Sequence, residues 1–182
     1  MAPLAYLHSV HAPLSQDEIA TLQSELPVVI PTPYKAFLAV SNGLKLFVSS
    51  LSLYGMRRSF ARDQRALDQP YSILTPNCQE RPGGLDPLAL IVGTYSDDNS
   101  PVVMRASSPG VTCLTPDCSR TRETWPDLET FLTSEVRRLA AIVSSDYARL
   151  RVGLGIRAVP GPELEGDIAF PLKSVRRWWR FW

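Results

Sequence analysis

Residues 32–55 read TPYKAFLAVSNGLKLFVSSLSLYG, and the period of the apolar positions changes inside this stretch. Thr32 followed by Pro33 supplies a helix N-cap with proline at the first helical position. Tyr34, Phe37 and Leu38 then fall at helical spacing, which predicts a helix from Pro33 to about Ser41 with these three as its buried stripe. Asn42-Gly43 offers the left-handed residue that stops it. Beyond the stop, Leu44, Leu46 and Val48, then Leu51 and Leu53 ahead of Tyr54-Gly55, alternate with period two and predict two short strands.

Upstream, Ser15 and Glu18 have capping-box spacing and Leu14 with Ile19 staple spacing. Together with Ile19, Leu22 and Leu26 on one face they predict a helix over Gln16–Glu25, broken by Pro27 and Pro31. Downstream, residues 56–87 are irregular, carry Arg57, Arg58, Arg62 and Arg65 close together, and read as a long surface connection. Leu88–Gly93 and Val102–Met104 read as a hairpin joined by residues 94–101, with Val111–Leu114 as the next strand. Trp125-Pro126-Asp127 opens a long amphipathic pattern of Leu128, Phe131, Leu132, Val136, Leu139, Ile142 and Val143. Two N-terminal helices, a central antiparallel meander sheet and a long closing helix make an α+β fold.

The chain has 182 residues, 45% apolar and 20% charged, which is globular composition, and a single compact domain over 1–182 with a radius of gyration of about 16 Å is expected. Nineteen Lys and Arg against eighteen Asp and Glu give +1, so no global field attracts nucleic acid or anionic lipid. The three cysteines are an odd number behind a start without an apolar signal segment, which points to the cytoplasm. No apolar run approaches the ~20 residues of a membrane span.

Chemistry-bearing constellations are sparse. His8 and His11 stand three apart without a Cys or acidic partner at ligand spacing, and read as part of a solvated N-terminal segment rather than a metal site. Cys113 and Cys118 lack a second pair, so they read as strand and turn residues, not a zinc ribbon. Gly83-Gly84 is followed by Leu-Asp-Pro, without the lysine or helix start of a phosphate loop. With both histidines at the N-terminus, a Ser-His-Asp or Cys-His arrangement would need an ordered arm reaching the core. No catalytic residue, metal or cofactor is expected.

Several pieces read together resemble the SUKH superfamily, Smi/Knr type. They are Leu26-Pro27 with Pro33 to Leu38, Ser41 to Leu44, Leu53-Tyr54-Gly55, Thr75-Pro76-Asn77 with Glu80-Arg81-Pro82, Ile91 to Ser100, and Trp125 to Leu128 with Phe131, Leu132 and Glu135. The resemblance covers about residues 15–143 and leaves 144–182 as an unmatched extension with a basic aromatic tail. It implies a non-enzymatic binding protein. Bacterial members are commonly immunity proteins that block a cognate polymorphic toxin, often a nuclease, by direct contact, and fungal relatives are scaffolds in cell-wall regulation. Each signature residue also has a structural reading: Asn42-Gly43 caps a helix, and Phe37 and Trp125 fill a core.

Candidate partner-binding residues follow from charge and exposure. Asp97 and Asp98, beside Tyr95 of the matched motif, form an acidic hairpin tip that is either a solvated turn or a surface docking onto a partner's basic residues. Arg57 and Arg58 begin a basic stretch that is either a solvated loop or a landing site for acidic groups. The tail Leu172 to Trp182 places Lys173, Arg176, Arg177 and Arg180 opposite Leu172, Val175, Trp178, Trp179 and Trp182 on a helical wheel. Packing of this tail on the domain ranks ahead of a partner or homodimer contact, and that ahead of a membrane surface.

Overall fold

A computed structural model of the protein describes residues 8–57 and 69–153, the side chains of 144–153 excepted. Seven strands, β1 (Ser9–Val10), β2 (Leu44–Leu46), β3 (Leu51–Leu53), β4 (Ala89–Tyr95), β5 (Pro101–Arg105), β6 (Ser108–Leu114) and β7 (Thr121–Trp125), form one antiparallel meander in which spatial order equals chain order. Three helices accompany it: α1 (Gln16–Glu25), α2 (Thr32–Leu38) and α3 (Leu128–Gly153). The fold is α+β, as the periodicities predict. The chain divides into two units, Met1–Val143 and Ser144–Trp182, and the sheet and its core belong wholly to the first.

Alternation along the strands sorts the side chains. Leu90 and Val92 of β4, Val102 and Met104 of β5, and Val111 and Cys113 of β6 join Leu22, Tyr34, Leu38 and Phe131 of the helices in the main core. Ala89, Ile91 and Val103 face the other way and form a smaller cluster with Leu85 and Cys118. A bulge between Ile91 and Gly93 shifts the register, so that Tyr95 returns to the helix side.

Helix α1 spans the predicted residues, and its capping box closes with the Ser15 amide donating to Glu18 Oε2 at 2.8 Å and the Glu18 amide donating to Ser15 Oγ at 3.2 Å. Helix α2 differs at both ends. Pro31, not Thr32, is the N-cap, because the Pro31 carbonyl accepts from the Tyr34 and Lys35 amides. The helix closes at Leu38, where the Val40 and Ser41 amides both turn back to the Phe37 carbonyl. Gly43 takes the left-handed conformation, φ 85°.

Several expectations are corrected. Val48 is not a strand residue: Phe47, Val48 and Ser49 have φ of 48°, 56° and 72° and make the tight turn between β2 and β3, with Val48 77% exposed. Trp125 does not open a helix but ends β7, and α3 starts at Leu128 with the Thr130 amide donating to Asp127 Oδ1 at 2.7 Å. The β4–β5 connection is only residues 96–100, and Leu88 lies outside the strand, exposed. The N-terminal histidines are not solvated, because β1 pairs with β2 beside them. His11 is buried, and the His8 ring meets Phe47 edge to face at 4.5 Å while its Nδ1 accepts from the Phe47 amide. Nor is the 69–87 part of the long connection wholly superficial, since Ile73, Asn77 and Leu85 are buried. Arg58 and the tail with Trp178 and Trp179 lie outside the described residues.

Candidate functional site

The polar signature residues are committed to the scaffold. The Tyr34 hydroxyl, fully buried, lies 2.5 Å from the Tyr54 carbonyl and 2.9 Å from the Val92 carbonyl, tying α2 to the sheet. Burial pushes its phenol well above the usual range. The Asn42 amide clasps Met56 from both sides, Nδ2 donating to its carbonyl at 2.8 Å and Oδ1 accepting from its amide at 2.7 Å. A Cβ at Gly55 would come within 2.4 Å of that Asn42 oxygen, so glycine is required there. Asn77, on a single π-turn at Thr75–Gln79, donates to the Ile73 and Ile91 carbonyls at 2.8 Å each. Arg81 donates to the Asp86 and Ala89 carbonyls, at 2.9 Å each. These side chains build the fold, and little of them is left for a ligand.

The candidate binding residues fall in two places joined by the β4–β5 turn. On the helix side, Tyr95 is 7% exposed beneath α3, with the Arg138 guanidinium 5.4 Å from its ring centre. Arg138 grips the buried Glu135 with Nη2 donating at 2.7 Å and Nε at 3.0 and 3.1 Å. This bonding raises the Arg138 pKa, and burial followed by the Glu135 charge raises that of the Tyr95 phenol. Asp98 is paired with Arg122, whose Nη1 also donates to Ser100 Oγ at 2.6 Å. Burial works against the Asp98 charge, but the Ser100 amide and hydroxyl together with Arg122 outweigh it and hold the carboxyl below its ordinary value. Cys113 lies in the same field, its thiol pushed up to about 11 by burial, with the nearby Arg122 pulling the other way. Asp97 is left exposed at the tip.

On the other face of the sheet, bordered by the π-turn, lies a groove of about 510 Å³. Its floor is Ser52 and Tyr54 of the β3 side with Thr94 of β4, and its walls are the 69–76 segment and the two hairpin turns, which contribute Ser49, Ser96 and Asn99. Arg57 and Glu80 line it from opposite charge. Thus Tyr95 packs with the Glu135–Arg138 pair, Asp98 pairs separately with Arg122, and Arg57 lines the groove, whose wall includes Ser96 and Asn99 of the β4–β5 turn.

Sequence reasoning missed Arg122, Arg138, Ser52 and Tyr71. A glutamate at position 135 on the Phe131–Leu139 stripe, with Arg138 three residues on, was the one available signal for the buried pair. Among the described residues no group of three His, Cys, Asp or Glu could hold a metal ion, and no helix is long and apolar enough to cross a membrane.

Fold and site together define an α+β meander domain with helices over one sheet face and a polar groove on the other. Residues 13–134 match the model of the SMI1 / KNR4 family (SUKH-1), and the chain belongs to that family. No curated protein matches it.

Proposed function

We propose that this chain is a non-enzymatic protein-binding domain of the immunity type, which neutralises a cognate polymorphic toxin, such as a nuclease, by direct contact in the cytoplasm. Family membership supports a protein–protein role. The observation that carries the reading is the division of labour among polar side chains. Tyr34, Asn42, Asn77 and Arg81 are consumed by backbone groups, whereas Arg57, Ser96 and Asn99 of the groove and Asp97 of the β4–β5 turn are exposed. A surface ordered in this way occludes a partner's cleft without paying for folding on contact, with affinity concentrated in a few anchors and encounter steered by rim charges. Asp97, and Asp98 held by Arg122, supply acidic rim charge; Arg57 and Arg58 supply basic charge; Trp178 and Trp179 are the aromatic anchors the sequence offers.

The test is co-expression with the toxin domain encoded beside this gene. Restored growth and a stoichiometric complex on size exclusion are expected. A toxin domain that kills regardless and elutes separately overturns the reading in favour of a regulatory scaffold.

A further inference from the structure

We propose that the outer edge of β7 is a docking site for an extended strand of a partner protein, which joins the sheet beside β7 with a basic residue facing Glu123. This rests on the protein-binding reading above and deepens it by naming the surface and the chemistry of what meets it.

The two edges of the meander are unequal. One side ends in β1, Ser9–Val10, and a two-residue strand offers almost no ladder to another chain. The other side ends in the five residues of β7, and among the described residues no strand lies beyond it. Alternate N–H and C=O groups along its outer side therefore have no ladder to join, which makes this edge a template for pairing. Thr121, Thr124 and Trp125 are types that favour strands, and neither lysine nor proline interrupts 121–125. A bulge lies where Leu114 meets Thr121, but Glu123, Thr124 and Trp125 keep regular register with Cys113, Thr112 and Val111.

Charges on an edge strand ordinarily keep other strands away. Arg122 does not serve in that way. It pairs with Asp98 and donates to Ser100 Oγ at 2.6 Å, and reaching these two residues of the β4–β5 connection takes its side chain across β6, away from the free edge. Glu123 is placed differently. It stands opposite Cys113, a core residue, and so lies on the helix face of β7. It is exposed and makes no ion pair among the described residues. The one uncompensated charge on the edge is thus a carboxylate, and it selects a cation on the incoming strand.

The same charges decide against a second copy of this chain. Two β7 strands related by a two-fold axis normal to the sheet can only set residues of equal parity opposite each other. Centred on Arg122 or on Glu123, that pairing puts like charges face to face, and centred on Thr121 it sets Arg120 against Arg122. Centred on Thr124, it sets Arg122 against Pro126, which has no N–H to give. A foreign strand with lysine or arginine opposite Glu123 meets none of these conflicts.

The experiment selects phage-displayed random dodecapeptides against the full chain. Enriched peptides are expected to carry a shared basic position, to slow amide exchange within residues 121–125, and to bind Glu123→Lys about tenfold more weakly, because like charges then face each other. Replacing the shared basic residue of the peptide by glutamate should restore binding to Glu123→Lys, a rescue that a loss of folding could not give. Glu129→Arg, exposed on α3, is expected to leave binding unchanged. Absence of enrichment, binding that Glu123→Lys leaves unchanged, enrichment of this chain's own β7 sequence, or protection that falls outside β7 overturns the proposal. A second arm measures the same variants and the same amides with the co-expressed toxin domain. If that complex forms, ignores Glu123→Lys and leaves β7 unprotected, the docking edge fails while the immunity reading stands. If no complex forms but peptides pair with β7, the immunity reading fails and the docking edge stands.

Discussion

Asn77 bonds Ile91 in both directions, its Nδ2 donating to the Ile91 carbonyl at 2.8 Å and its Oδ1 accepting from the Ile91 amide at 2.9 Å, so that one side chain does for β4 what a neighbouring strand would. The two residues are fourteen apart, and the clasp anchors the long connection to the sheet.

Asn77→Ala is expected to lower stability by about 2–4 kcal/mol, because it leaves buried backbone donors and acceptors of β4 unmet rather than merely deleting one bond. Urea denaturation followed by tryptophan fluorescence checks this. A loss under about 1 kcal/mol would mean that water replaces the clasp.

Phe37→Ala and Trp125→Ala are each expected to cost about 3–5 kcal/mol, as deletions of large core aromatics do. Phe37 is 6% exposed against Tyr34, and Trp125 is 7% exposed, edge to face with Phe131 at 4.8 Å. Unchanged melting temperatures in both would refute the packing of α2 on the sheet through Phe37 and of α3 on β7 through Trp125.

The elements that periodicity describes well are those buried on one side. Helix α1 has a capping box at its start, a proline two residues past its end and an apolar face, and its bounds were legible in full. Strand β7 was not, because Thr121 to Thr124 are all exposed at the edge of the sheet and show no alternation. Val48 imitates a strand residue because its apolarity extends the period of Leu44 and Leu46, yet it sits on a turn. The site was legible only as turn chemistry at Asp97-Asp98. The partner that holds Asp98, Arg122, lies 24 residues away, and the groove unites Ser52, Tyr71 and Thr94 through topology that local patterns do not encode.

Arg138→Ala is expected to destabilise by about 3 kcal/mol, more than Glu135→Gln. Removing the arginine strands a carboxylate whose side chain is 2% exposed, whereas the amide keeps the shape and removes the charge. Arg138 is 45% exposed, so its own desolvation is small. Chemical denaturation of the two singles and the double decides it, and equal losses would contradict the assignment of Glu135 as the stranded partner.

The fold is expected to loosen at the β1 edge as the pH falls below neutrality. Burial lowers the His8 pKa from its ordinary 6.5, so the unfolded chain binds this proton more readily than the folded one. The stability it contributes is therefore complete above about pH 6.5 and is lost as the pH drops through the lower folded value. Protonation also removes the Nδ1 lone pair that accepts from Phe47. Amide exchange of Phe47 between pH 7 and 5, compared with His8→Gln, reads this directly; the variant's exchange should not acquire the same pH-dependent loss of protection.

Val48→Gly is expected to stabilise the protein by about 1 kcal/mol, against the usual direction of glycine substitutions. A left-handed conformation costs an L-residue roughly 1–2 kcal/mol, and a β-branched side chain adopts it with particular difficulty. Val48 holds φ 56° between Phe47 at 48° and Ser49 at 72°, so three consecutive residues carry this cost. The turn tolerates it because its flanks are fixed: the Ser50 hydroxyl donates to the Phe47 carbonyl at 2.8 Å, and the Ser96 amide to the Ser50 carbonyl at 3.1 Å. The Val48 side chain is 77% exposed, so its removal forfeits little packing, while glycine adopts the conformation without steric penalty. Its greater freedom in the unfolded chain offsets part of the gain, which keeps the expectation near 1 kcal/mol rather than 2. Melting temperature and urea midpoint should both rise, with the dependence on denaturant unchanged. A fall of about 1 kcal/mol, as at an ordinary strand position, would show that residue 48 is extended and that the hairpin turn between β2 and β3 lies elsewhere.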